Sequence, residues 1–276
     1  MEGFLMYNVV VNDITLYYDR LGTGEPLILI HGLGERKEGW KYQHELANHY
    51  DLIIPDLRGF GKSTLPDNKE ISIINFAKDI LSLLDKLNIK KAHICGLSMG
   101  GMIAQEIYKL NSSKVQSLIL ANSIFYVPKW LGNFIYKLKK KKIEQLTPEE
   151  HKMISAERCL YTKDKEMIEK VLPAWSDQRS SFIPAWKACL EIDYRTLLPT
   201  IDVPTLVILC KNDKICRPYN QKKMHKLIPN SQLVTIKKAG HVGKIEKPDE
   251  FNHAILHFLQ STYNQDQPTS AQYSYK

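Results

Sequence analysis

The stretch Ala92-His93-Ile94-Cys95-Gly96-Leu97-Ser98-Met99-Gly100-Gly101 decides how the rest of the chain is read. Residues 92–95 form a short, mostly apolar run, as in a central parallel strand buried on both faces. Residues 102–110 carry a helical pattern. Between them Gly96-Leu97-Ser98-Met99-Gly100 matches G-x-S-x-G, which requires this strand–turn–helix context. A serine on so sharp a turn sits in a strained backbone conformation, and small neighbours on both sides let the chain close. The turn lifts the Ser98 hydroxyl above the sheet edge. It also aims the free N–H groups of the helix start at any anion formed there. Ser98 is therefore a candidate nucleophile.

Working outward, short apolar runs alternate with helical patterns, the sign of a mostly parallel sheet wrapped by helices. Residues 7–11 and 14–21 read as an opening hairpin turning at Asn12-Asp13. Residues 27–30, 52–55, 118–121, 206–210 and 233–236 read as buried strands like 92–95. Ile73, Ile74, Ala77, Ile80, Leu81, Leu84 and Leu87 recur at helical spacing behind Ser72, a suitable N-cap. A last helix starts near Pro248 with Phe251, Ile255, Phe258 and Leu259 on one face, and residues 264–276 read as a loose polar tail.

A serine hydroxyl is a weak nucleophile without a base. On an elbow of this kind the acid and then the base follow along the chain. His241, flanked by Gly240 and Gly243 just past the strand 233–236, is the expected base. His253 and His257 lie one turn apart on the last helix, but Ala254 stands where a zinc-binding pair would carry glutamate, so they read as ordinary helix residues. Asp213, just past the strand 206–210, is the expected acid, because it can turn toward the same sheet edge. Asp202 precedes that strand and lies at the wrong edge. An oxyanion needs two preorganised donors. The backbone N–H groups of Met99 and of Leu33, in His31-Gly32-Leu33-Gly34, are the expected pair, and His31 reads as a structural hydrogen-bonding residue.

Residues 124–203 break the alternation and hold no convincing strand. They read as a helical cap inserted into a core of residues 1–123 and 204–263. Thr147-Pro148-Glu149-Glu150 is a capping box with proline at the first helical position. Thr162 is expected to cap a further helix over 163–172. Trp40, Phe125, Tyr126, Trp130, Phe134, Trp175, Phe182 and Trp186 are candidates for an aromatic wall that would favour an apolar acyl or aromatic substrate. Of these, Trp40 and Phe125 stand nearest the oxyanion loop and a strand end.

The chain has 276 residues, 38 basic and 30 acidic, with a net charge of +8. Five cysteines without a C-x-x-C pair argue for reduced thiols in the cytoplasm and against a zinc site or disulfide scaffold. No secretory leader or membrane-spanning run is apparent. Lys137, Lys139, Lys140, Lys141 and Lys142 form a dense cluster inside the insertion. It reads as a solvated helix face, or as a dock for an acidic acyl carrier protein. No nucleic-acid partner, cofactor or metal is expected, and either a monomer or a homodimer fits.

Together, HGLG at 31–34, the segment 56–63, GLSMGG at 96–101, Asp213, Ala239-Gly240-His241 and Glu246-x-Pro248-x-x-Phe251 resemble the landmarks of the α/β-hydrolase family, in order, over residues 12–260. The resemblance implies an eight-stranded, mostly parallel sheet and an acyl-enzyme hydrolysis of a carboxylic ester. Within the family the chain is similar to small carboxylesterases, enol-lactone hydrolases, C–C bond hydrolases, pimeloyl-carrier-protein methyl esterases and cofactor-free haloperoxidases. A fold hosting so many chemistries does not name the substrate.

Overall fold

The computed structural model describes residues 6–66, 70–176 and 178–266. In chain order it contains β1 (Met6–Val11), β2 (Ile14–Leu21), β3 (Glu25–Ile30), β4 (Tyr50–Pro55), α1 (Ile73–Lys86), β5 (Ala92–Leu97), α2 (Met99–Leu110) and β6 (Val115–Ala121). There follow α3 (Lys129–Gln145), α4 (Pro148–Cys159), α5 (Lys165–Val171), α6 (Arg179–Cys189), β7 (Thr205–Cys210), α7 (Pro218–Leu227), β8 (Ser231–Ile236), α8 (Gly243–Glu246) and α9 (Pro248–Asp266). Residues 37–48 form a stretch of 3-10 turns.

The strands make one eight-stranded sheet in the order β1-β2-β4-β3-β5-β6-β7-β8. The β1–β2 and β2–β4 pairs are antiparallel and every other pair is parallel. The chain fills one side of β3 with β4, then crosses to fill the other side from β5 onward. The carboxyl ends of β3 and β5 thus flank the point where strand order reverses, which is where open α/β sheets leave a crevice. Ile30 and Gly96, at those two ends, are paired in register.

Alternation along each strand splits the core in two. Ile28, Ile30, Ile94, Leu118 and Leu120 face one side and pack with Phe76, Ile80, Ile103 and Ile107 of α1 and α2. Leu27, Leu29, Cys95, Leu97 and Ile119 face the other and pack with Trp40, Phe251, Ile255 and Phe258. Among the described residues, 124–203 add four α-helices and no strand of the sheet. They hold no separate core: Ala185, Cys189 and Tyr194 join the first cluster, and Ala156, Leu160 and Trp175 join the second.

Several local expectations hold in detail. Ser72 Oγ caps α1 through Asn75 N, and Thr147 with Glu150 closes a complete capping box on α4. Three are corrected. β8 is an edge strand, buried only at Ile236, because among the described residues no strand lies beyond it. Asp164, not Thr162, caps α5, its carboxylate accepting from Met167 N at 2.8 Å. The Thr162 N–H is instead held by Glu246. The backbone of Asn264–Asp266 continues α9, and the rest of the expected tail lies outside the described residues.

A buried ion cluster fixes the segment after β4. Arg58 spans both oxygens of Asp79 at 2.6 and 2.7 Å and reaches Asp13 at 2.9 Å. Arg58 and Asp79 are almost wholly buried. Removing one partner leaves an uncompensated buried charge, at a cost of about 3–5 kcal/mol. Arg58→Met is therefore expected to lower unfolding free energy by about that amount in urea denaturation.

Candidate active site

Ser98 lies between β5 and α2 with φ 54° and ψ −114°, outside the regions an L-residue prefers. Two glycines make this turn possible. A Cβ on Gly96 would collide with Gly100 O, and one on Gly100 with Ile30 O. The elbow is then held by its own backbone: Ser98 N donates to Ala121 O at 2.9 Å. Ser98 O accepts from Gly101 N at 3.0 Å and from the Ser123 hydroxyl at 2.8 Å.

Asp213 and His241 meet at the same sheet edge. The imidazole Nδ1–H donates to Asp213 Oδ2 at 2.8 Å, which leaves Nε2 as the outward nitrogen. The other oxygen, Oδ1, accepts from Ile215 N at 2.7 Å and Cys216 N at 3.0 Å. Both side chains are buried. Burial pushes the His241 pKa down, but the charge and hydrogen bond of Asp213 outweigh it and hold the imidazole above its ordinary value. Among the described residues no hydrogen bond joins Ser98 Oγ to His241. Such contacts are commonly loose before substrate arrives.

Cys216 is buried beside this pair, its sulfur within 4.8 Å of ligand-type atoms of Asp213 and His241. Two ligands of one tetrahedral ion, each at about 2.0–2.2 Å, stand further apart than the 2.8 Å between Nδ1 and Oδ2. The His–Asp hydrogen bond is enough to explain the clustering.

The loop after β3 closes the other side of the site. Gly32 lies against Ser98, so that a Cβ there would sit 3.5 Å from the serine Cβ. Its N–H is already taken by Glu35 Oε2 at 2.8 Å. Among the described residues the N–H groups of Leu33 and Met99 have no partner; Met99 follows Ser98 in the chain and Leu33 follows Gly32. Glu35 is in turn neutralised by Lys244, whose Nζ lies 3.2 Å from Oε1, donates to Gly39 O at 2.7 Å and sits 4.2 Å from the Trp40 ring centre. His31 Nδ1 meets Gly32 O, and Nε2 accepts from Leu57 N at 3.0 Å. Burial drops its pKa to about 4, as suits a neutral structural imidazole.

These positions invite comparison with known proteins. Residues 25–248 match the family model described as the alpha/beta hydrolase fold. The chain belongs to the α/β-hydrolase fold family. It is 27% identical over 240 residues to 3-oxoadipate enol-lactonase 1 of Acinetobacter baylyi, covering 85% of this chain and 88% of the relative. It is 27% identical over 250 residues to Lipase 1 of Psychrobacter immobilis, covering 82% and 74%. A solved thermophilic esterase from Thermogutta terrifontis superposes with a TM-score of 0.84 at 27% identity, covering 93% of this chain and 98% of that one.

The aromatic wall expected of this α/β hydrolase is largely redistributed. Trp40 is fully buried against Phe251 and Lys244, so it is core and not lining. Trp130 and Phe134 stand out from α3, 72% and 56% exposed. Trp186 packs on Tyr136 between α3 and α6, with ring centres 5.5 Å apart. Phe125 and Trp175 are nearly buried, and a Cβ on Gly34 would touch the Phe182 ring at 3.1 Å. A separate cavity of about 780 Å³, lined in part by Lys37, Lys41, His44 and Lys170, includes none of Ser98, Asp213 and His241.

Three supporting residues escaped the sequence reading as working parts. Asn122 Nδ2 donates to His241 O and its Oδ1 accepts from Cys210 N, both at 2.8 Å, tying the His241 loop to the end of β7. Ser123 anchors the elbow. Glu246 accepts from Gly240 N with one oxygen and from Tyr161 N and Thr162 N with the other. His241 N also donates to Cys159 O at 2.6 Å. The signal for the first two was two polar residues closing an apolar strand at the elbow's edge. Glu246→Leu would strand three backbone donors, and about 3 kcal/mol or more of stability should be lost. Urea denaturation should show that loss, with Glu246→Gln recovering part of it.

Proposed function

We propose that the protein hydrolyses carboxylic esters through an acyl-enzyme on Ser98. The observation that carries this reading is the strained serine between β5 and α2 with the bonded His241–Asp213 pair at the same edge. In the reading, His241 Nε2 takes the hydroxyl proton as Ser98 Oγ adds to the ester carbonyl carbon. The negative charge that develops on the carbonyl oxygen meets the N–H groups of Met99 and Leu33 and the start of α2. The tetrahedral adduct collapses, the C–O bond to the alcohol breaks, and the alcohol leaves with the proton from His241. Water then repeats the sequence, His241 taking its proton and the acid departing from Ser98. Asp213 keeps Nδ1 protonated and stabilises the imidazolium.

Apolar acyl groups suit a site with the Phe182 ring over Gly34 of the loop after β3. A cyclic ester is the second reading, supported by the enol-lactonase relative. The same steps open a lactone, the leaving alcohol staying attached to the acyl chain.

p-Nitrophenyl butyrate hydrolysis tests the reading. Ser98→Ala is expected to lower kcat about 10⁶-fold with a native circular dichroism spectrum. Equal rates for the two proteins would refute it. Because neutral His241 is the base, kcat/KM should fall as pH drops through its raised pKa. Asp213→Asn removes the groups that raise it, so the inflection should move to lower pH while kcat drops about 10⁴-fold.

A further inference from the structure

We propose that α3 docks on an anionic lipid bilayer through its outward face. The helix carries six lysines against one glutamate. Lys140 is engaged with Glu144 at 3.6 Å and lies over the Tyr136 ring. Among the described residues Lys137, Lys139, Lys141 and Lys142 pair with no carboxylate, and all four are exposed.

On the same helix three large apolar side chains are turned out of the protein: Trp130 at 72%, Phe134 at 56% and Leu138 at 61% exposed. At 3.6 residues per turn, Lys137 and Lys141 fall within about 20° of the Trp130 direction, Phe134 and Leu138 within about 80° and Lys142 about 120° away, while Lys139 points about 180° away. One face therefore combines tryptophan, phenylalanine and leucine with cations, the composition that seats a helix at the boundary of headgroups and acyl chains. Exposing such a stripe to water is unfavourable, and single-sign charge beside it attracts an anionic partner.

The inner face is already satisfied. A Cβ on Gly132 would collide with Leu190 O unless that residue shifted, and Tyr136 packs on Trp186. A second copy of α3 would bring like charges together. Since Phe182 of α6 lies over Gly34 of the loop beside Ser98, docking would place the bilayer on the cap side of the candidate site.

The full chain is mixed with vesicles of phosphatidylcholine alone and of phosphatidylcholine with phosphatidylglycerol. Each lysine near an anionic surface strengthens binding about fivefold. With Lys137, Lys141 and Lys142 counted, co-sedimentation should therefore favour the anionic vesicles by about a hundredfold at low salt, and added salt should weaken it. The emission of Trp130, the exposed tryptophan, should shift to shorter wavelength on binding, and Trp130→Phe should abolish that shift. Replacing Lys137, Lys141 and Lys142 together by glutamine should remove the anionic preference. Phe134→Ser with Leu138→Ser should weaken binding to either vesicle, with melting temperature unchanged in both variants. Equal binding of the wild-type chain to the two vesicles, or insensitivity to salt, would overturn the proposal whatever the variants do. So would an unshifted emission with vesicles when an acidic acyl carrier protein shifts it, since the face would then serve a protein.

Discussion

The backbone at Ser98 is the constraint on which the rest of the site depends. A non-glycine residue held at positive φ costs of order 1–3 kcal/mol and persists only where its surroundings over-determine it. Here the surroundings are dense. Glycines at 96 and 100 let β3, β5 and α2 approach more closely than any Cβ would allow. Backbone bonds to Ala121 and the Ser123 hydroxyl then hold the turn from the β6 side. Everything with chemical potential in the site is arranged around that one forced dihedral: the free N–H groups at the start of α2, the Gly32 loop, and the imidazole across the sheet edge.

Charges buried beneath the site answer a second demand, which is to keep its loops rigid without water. Glu35 holds the Gly32 N–H, and Lys244 neutralises Glu35 while resting on the Trp40 ring. On the other flank, the Asp56 carboxylate accepts from Lys37 N and Lys62 N, and burial lifts its pKa to about 6. A pair such as Glu35 and Lys244 contributes little net stability over apolar residues of the same size. Its value lies in specifying one loop geometry, since Glu35 Oε2 holds the Gly32 N–H and Lys244 Nζ holds the Gly39 carbonyl.

The parts of the molecule legible from sequence are those governed by local rules. The strands of the inner sheet, the Ser72 and Thr147 caps and the elbow follow from periodicity, capping chemistry and glycine sterics acting over a few residues. The order of Ser98, Asp213 and His241 follows from topology. What was misread depends on distant neighbours. Nothing within a few residues of Trp40 says that Lys244 and Phe251 will enclose it, or that the inner side of α3 will be claimed by α6 and leave Trp130 outside. β8 looks apolar enough for the interior, yet it is the last strand added. Thr162 and Asp164 are equally good caps in isolation, and the choice falls to Glu246, more than eighty residues away, which takes the Thr162 N–H.

Glu246 joins two regions usually thought of apart. One carboxylate receives N–H groups from Gly240 and from the turn between α4 and α5, and His241 N is bonded to Cys159 O. The imidazole loop and one half of the insertion therefore share a single set of fastenings, whereas among the described residues no hydrogen bond joins α3 to it. Helices exchanged between relatives would not be equivalent grafts. Replacing α3 alone leaves these fastenings in place, while a transplanted α4–α5 turn must present two amides and a carbonyl at the recipient's imidazole loop, or the graft disorders the loop it was meant only to cover.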